Sequence, residues 1–402
     1  MTFISPGNTA FVLLSAALVM IMTPGLGFFY GGLVGRRNAL TILMESFFSL
    51  GWVTILWVLF GFSLAFGPDV AGLIGGPKYF FLNHIFEKTT MAAFHGPLYA
   101  FVMFQLMFAV ITPALITGAF ANKMRFKAWI AFLTLWSFLV YFPVAHWLWG
   151  GGFLEKWGCE DFAGGIVVHA TAGFSALAAA LWFGATRKFK NRPHNLMWVA
   201  LGTALLWFGW FGFNAGSALR AGGDAAIAFT NTQIAAAFAA VTWVLLDAAR
   251  GGKISATGFC TGAIAGLATV TPTAGYITPQ SAMIVGIVAA LACYAAVSYK
   301  NKKGWDDVLD VWGVHGIGGF TGILLLGIFG TSSVLGENGL LYGNPMFFVK
   351  ELTAACLCSA YSFAVTLFIL WLISRFMEVK IPEEQMEKGI DEIELGEVAY
   401  PG

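Results

Sequence analysis

The chain reads as an all-α integral membrane protein of eleven transmembrane helices, laid out as two inverted five-helix halves plus an eleventh helix. Three observations predict this: an apolar composition, eleven apolar runs of spanning length, and two matching histidine segments on oppositely directed runs. Of the 402 residues, 58% are hydrophobic and 11% charged, whereas a soluble domain carries about 25% charged residues. The 49 glycines suit helices that approach closely in lipid, where no hydrophobic effect drives one against another. A net charge of +1 gives no reason to expect nucleic acid. The five cysteines (Cys159, Cys260, Cys293, Cys356, Cys358) are scattered and odd in number, so they suggest neither a disulfide framework nor a metal site.

With about 20 apolar residues needed per span, the runs fall at roughly 9–31, 39–66, 92–120, 128–147, 162–186, 195–217, 225–248, 256–272, 280–299, 308–330 and 347–377. The eighth is the shortest. The first run is longer than the apolar core of a secretory signal and no charge precedes Arg36, so it reads as a span. Lys and Arg then decide orientation. Seventeen of the 22 (Arg36, Arg37, Lys123, Arg125, Lys127, Arg187, Lys188, Lys190, Arg192, Arg250, Lys253, Lys300, Lys302, Lys303, Arg375, Lys380, Lys388) fall on one side. Lys78, Lys88, Lys156, Arg220 and Lys350 fall on the other. The expectation is a multi-pass protein of the cell (inner) membrane, with the amino terminus outside and the carboxyl tail cytoplasmic. The domain reading is a transmembrane domain over 1–377, its inverted repeat at about 9–186 and 195–330 and its eleventh span at about 347–377. The tail at 378–402, with eight acidic residues and two lysines, is too short for a core and is expected to be solvated or held by a partner.

Two segments organise the rest. In DFAGGIVVHATAGFSALAAAL, from Asp161, and DVWGVHGIGGFTGILLL, from Asp310, one histidine (His169, His315) sits among small and apolar residues. Both follow an x-Val-His-small-x-x-Gly pattern. An ionisable side chain at membrane depth costs several kcal/mol unless it meets a partner or a polar cavity. At 1.5 Å per residue both rings lie near the midplane, about 12 and 10 Å from the ends at which their helices begin. On antiparallel helices they occupy corresponding places in two halves of opposite topology, the plan in which a working site lies at the repeat interface. Two separate buried histidines, each satisfied by a carbonyl, is the plain alternative. Neutral rings side by side offer donors and acceptors to a small polar solute without fixing a charge in the bilayer. A metal site fits less well, because no third ligand lies at that depth.

Phe104, Trp147, Trp149, Trp157, Trp207, Trp210 and Phe213 cluster toward the same ends of their spans, as interfacial aromatic belts do. HWLWGGG and FGWFGFNAGS set rings beside Gly, Asn214 and Ser217, which equally suits a vestibule that holds a cation on ring faces. Asp161 reads as a helix N-cap, as do Asp306 and Asp307. Asp310 needs a buried partner. Glu45 either snorkels or pairs with an Arg of the preceding loop. His146 and His95 read as interfacial, and His84 and His194 as loop residues. No nucleophile-base pair, phosphate loop or H-E-x-x-H occurs, so an enzyme is not expected and no cofactor is implied.

The motifs FFYGGLV (from Phe28), HWLWGGG, DFAGGIVVH, FGWFGFNAGS, GAIAGLATVTP (from Gly262) and VHGIGG, with PEEQ and GEVAY in the tail, resemble the ammonium transporter (Amt/Mep/Rh) family, and its bacterial and archaeal Amt branch most. The resemblance implies an eleven-span homotrimer in the lipid bilayer with a pore through each subunit. It implies that Trp149, Ser217 and Phe104 form an external ammonium recruitment site with Asp161 as the structural carboxylate beside it. Phe104 and Phe213 would be a stacked gate, and His169 and His315 the twin histidines of a hydrophobic pore. It also implies a trimeric PII-type signalling protein docking on the cytoplasmic face, although Leu395 stands where a His is usual. A bare ammonium ion in a low-dielectric pore faces a solvation cost of roughly tens of kcal/mol that ammonia does not. The expected function is therefore recruitment of ammonium, its deprotonation, and conduction of ammonia with or without the proton. The alternative is an ammonium sensor on the same fold that signals through a PII-like partner; a channel for water or carbon dioxide would need no cation vestibule.

Overall fold

The computed structural model describes residues 4–86, 94–185 and 193–400. Lys88, Arg187, Lys188, Lys190 and Arg192, and the edges of the third and fifth expected spans, lie outside the described residues. The first seven helices are α1 (Pro6–Leu33), α2 (Arg36–Phe66), α3 (Leu98–Ala119), α4 (Phe126–Trp157, bent at 150–152), α5 (Gly165–Phe183), α6 (Leu196–Gly216) and α7 (Gly223–Ala249). Next comes α8 (Ala256–Val270), a 15-residue apolar helix. Then follow α9 (Pro279–Lys303), α10 (Trp312–Phe329) and α11 (Pro345–Ser374). All but α8 are long and apolar enough to cross a membrane, which makes 10 among the described residues. The chain is a multi-pass helical membrane protein.

Local sequence sets the helix starts. Ser5, Asn195, Ser255, Thr278 and Asn344 each accept a hydrogen bond from the N–H three residues on, and Pro6, Pro279 and Pro345 fill first-turn positions that need no donor. Losing one such cap costs about 1 kcal/mol. Small residues set the packing. A Cβ on Gly202 of α6 would stand 2.3 Å from the Phe29 nitrogen of α1, so only glycine permits this crossing. Gly32 meets Asn195 and Val199 while Gly216 meets Ser15, and α1 and α6 therefore run antiparallel.

One end of the bundle, called here the Trp149 face, carries the start of α1, the end of α6 and a short two-stranded hairpin, β1 (Asp69–Val70) with β2 (Ile74–Gly75). His146 is not an ordinary interfacial residue. It is fully buried, with Nδ1 2.9 Å from the Ala65 carbonyl and Nε2 2.9 Å from Asp69 Oδ1, and so ties the hairpin to α4.

The opposite end, the tail face, corrects a second expectation, because the tail is folded onto the protein. Asp391 accepts from the N–H groups of Leu40 and Thr41 and from the Thr41 hydroxyl, capping α2. Glu394 accepts from the Phe126 N–H and from Arg125, capping α4. Ile381, Met386 and Ile390 are buried together, and Tyr400 Oη lies 3.2 Å from His194 Nε2. The tail needs no core of its own because helix N-termini supply donors for its carboxylates. Glu45 neither snorkels nor pairs with an Arg: it is 3% exposed, and Oε2 has no hydrogen-bond partner among the described residues.

Candidate functional site

α5 and α10 carry the two histidines and begin in the same way. The N–H groups of Gly164, Gly165, Ile166 and Val167 all donate to the Asp161 carboxylate, at 2.9, 2.6, 2.8 and 3.1 Å. The N–H groups of Val311 and Trp312 donate to Asp307 at 3.1 and 2.8 Å. Each capping Asp stands eight positions before its histidine. Asp306 is not a cap; its carboxylate turns to Lys123 at 2.8 Å. Asp310 meets Lys300 at 2.7 Å, and the same ammonium group donates to the Asp307 carbonyl. Burial pushes the Asp161 carboxyl up to about 6 in spite of its four N–H bonds. Burial also pushes Asp307 up to about 6, with Lys300 opposing.

Both histidines lie in short π-helical turns, Gly165–Ala170 and Trp312–Gly316, a local widening often found at functional positions. Glycine lets the two helices touch there. A Cβ on Gly173 would stand 2.0 Å from the Gly316 nitrogen, and one on Gly319 2.4 Å from the Gly165 oxygen. The rings consequently stack, with centroids 5.2 Å apart, an interplanar angle of 23° and a 3.3 Å separation of the two Nδ1 atoms. That contact requires one ring to donate from Nδ1 and the other to accept there. One Nε2 is then an acceptor and the other a donor. His169 is also stacked on Trp210 and Phe213, at 5.4 and 5.9 Å.

The histidines line a slot of about 10 Å³ whose walls include Phe213, Trp210, Leu206 and Ile264. That is room for roughly one water-sized molecule. On the Trp149 side lies a chamber of about 550 Å³, lined in part by Gln105, Trp149, Asp161 and Ser217. On the tail side lies one of about 450 Å³ that His315 shares with Asp310, Asp247 and Tyr30. Trp149 donates its indole N–H to the Asp161 carbonyl at 2.8 Å, and Ser217 donates its hydroxyl to the Phe213 carbonyl at 2.8 Å.

One expectation about the rings does not hold. The ring tilted over Phe213, at 4.2 Å and 31°, is Phe108, which also stands edge-on to Trp149 at 6.0 Å. Phe104 is fully buried one turn away, in contact with Phe108 and the Gly216 region, and lines none of the three cavities. Both rings belong to FQLMF and share a helix face. Only the depth of α3 against α6 separates them, and sequence does not display it. Gln105 carries no signal in the sequence that sets it apart, and Trp210, one of the aromatic cluster, packs on His169 rather than lining the Trp149-side chamber.

Fold and site together define a multi-pass helical membrane protein in which a narrow apolar slot separates two chambers. The sequence profile of the Ammonium Transporter Family matches residues 10–400, and the chain belongs to that family. It is 44% identical over 393 residues to the putative ammonium transporter of Methanothermobacter thermautotrophicus, covering 96% of this chain and 97% of that protein. It is 42% identical over 399 residues to ammonium transporter Amt1 of Archaeoglobus fulgidus, covering 98% and 100%. Among solved structures it resembles Candida albicans Mep2 with a TM-score of 0.89 at 35% identity, covering 95% of this chain and 88% of that one. It also resembles a sensor Amt protein with a TM-score of 0.88 at 28% identity, covering 97% and 98%.

Proposed function

We propose that the chain is an ammonium transporter that takes ammonium at the Trp149 face and passes ammonia along His169 and His315. The observation that carries this is the stacked histidine pair, bonded Nδ1 to Nδ1 in a slot too narrow for a hydrated ion, with a chamber at each end. Trp149 presents a ring face and Ser217 presents lone pairs, which suit a cation with N–H donors. Asp161 fixes Trp149 and the start of α5. Phe108 and Phe213 close the way to the slot, so ammonium gives its proton to water in the chamber above them, and ammonia moves past one Nε2 acceptor and one Nε2 donor.

In this reading α8 completes eleven spans, and residues 9–186 and 195–330 form two inverted halves. The antiparallel pairing of α1 with α6 and the matched caps of α5 and α10 support it. The protein assembles as a homotrimer in the cell (inner) membrane, with the Trp149 face outside and the tail face cytoplasmic, where a PII-type protein docks beside the tail at 378–402. The test is flux and current from purified protein in liposomes. His169→Ala and His315→Ala should each abolish ammonia flux or change its charge coupling while the oligomer survives. Unaltered flux in both would reject the pore assignment. Saturable ammonium binding without flux in the unsubstituted protein would favour a sensor, the role named for one of its structural neighbours.

A further inference from the structure

The chamber beside Trp149 holds a polar side chain that the reading above leaves without a task. Gln105 on α3 is 9% exposed, and its Oε1 has no hydrogen-bond partner among the described residues. It lines the same chamber as Trp149, Asp161 and Ser217. Three of the polar residues that share the chamber are already engaged. The Trp149 N–H is bound to the Asp161 carbonyl, the Asp161 carboxylate is filled by four N–H groups, and the Ser217 proton lies on the Phe213 carbonyl. A buried carboxamide with no partner is destabilising, and such a group calls for an explanation, a ligand among them.

We propose that Gln105 is a substrate-selecting residue whose carboxamide oxygen accepts an N–H of the cation held between Trp149 and Ser217. The inference rests on the ammonium reading and assigns the selectivity of its first step. The two ends of a carboxamide interchange by rotation with little change of shape, so either can face the chamber. Two neutral acceptors and one ring face meet the directed N–H bonds of ammonium or methylammonium. A bare alkali ion has no such directions and needs a shell of oxygens, which two acceptors do not replace. With the Asp161 carboxylate spent on backbone, no full negative charge reaches the cation through that residue to hold every cation alike.

The experiment measures ammonium-evoked flux in liposomes against ammonium concentration, with and without potassium. Gln105→Leu should raise the half-saturating concentration about tenfold at unchanged maximal flux and should strengthen competition by potassium. Gln105→Glu, which keeps an acceptor oxygen, should restore the affinity and not the discrimination. Gln105→Met, of similar length and without a polar end in the amide's place, is measured in parallel so that poor folding of the Leu variant does not decide the matter. An unchanged half-saturating concentration in the apolar variants overturns the inference, as does a fall in maximal flux alone, which a packing role would produce. Absence of ammonium flux from the unsubstituted protein overturns the transport reading itself, a result distinct from both.

Discussion

α5 and α10 are built to one plan and supported by opposite means. Each starts at an Asp eight residues before its histidine, each widens into a π turn, and each presses a glycine against the other helix. Around Asp307 stand two buried lysines: Lys300, bonded to the Asp307 carbonyl and Asp310, and Lys123, bonded to Asp306. Asp161 has no Lys or Arg in an ion pair among the described residues and relies on backbone N–H groups alone. Glu160 and Glu351 crowd the same end, and burial pushes Glu160 up to about 7. The lesson is that capping geometry and charge balance are separable. The geometry starts the two histidine helices alike, while the surroundings differ: lysines stand around Asp307, and backbone N–H groups alone meet the Asp161 carboxylate.

Removing the caps should show the largest difference. Asp161→Ala leaves four buried N–H groups without their acceptor and should cost about 3 kcal/mol or more, whereas Asp307→Ala frees two and should cost about 2 kcal/mol. Equal losses in thermal unfolding of the two purified variants would break the comparison. Next in size is Lys300→Met, which leaves Asp310 unpaired and should cost about 1–2 kcal/mol by the same measurement. No change would mean that the lysine is not what balances the tail end. The smallest effect concerns Asp69, a Trp149-face carboxylate that does have partners. Hydrogen bonds from His146 and Lys156 hold it down to about 2 from 3.8. Because its folded value is depressed, its contribution is present above pH 3.8 and lost as pH falls toward 2. Asp69→Asn should flatten the pH dependence of melting in that window, lower neutral-pH melting by the modest contribution of a partly exposed ion pair, and leave melting near pH 2 unchanged.

Hydropathy was enough to place the ten long apolar helices, and the Val-His-small pattern picked out the two histidines whose rings meet, because both depend on period and length alone. Three features were hidden for a shared reason. Phe108 and Phe104 lie on one face of α3, and which ring meets Phe213 depends on how far α3 slides along α6. Asp306 and Asp307 look alike as caps until Lys123 claims one of them. His146 reads as interfacial until the hairpin at Asp69 folds over it. Each is settled by a contact between distant segments, and a pattern read along one helix carries no record of its neighbour's height.

The carboxylates that cap α2 and α4 join distant parts of the chain. Asp391 closes the N-terminus of a helix whose Thr41 lies 350 residues earlier, and Glu394 does the same for Phe126 at a separation of 268. Neither helix start is capped by its own flanking residues, so both depend on a segment far along the sequence for these acceptors. A stretch of four residues at 391–394 thus pins two helix starts that are themselves far apart in sequence.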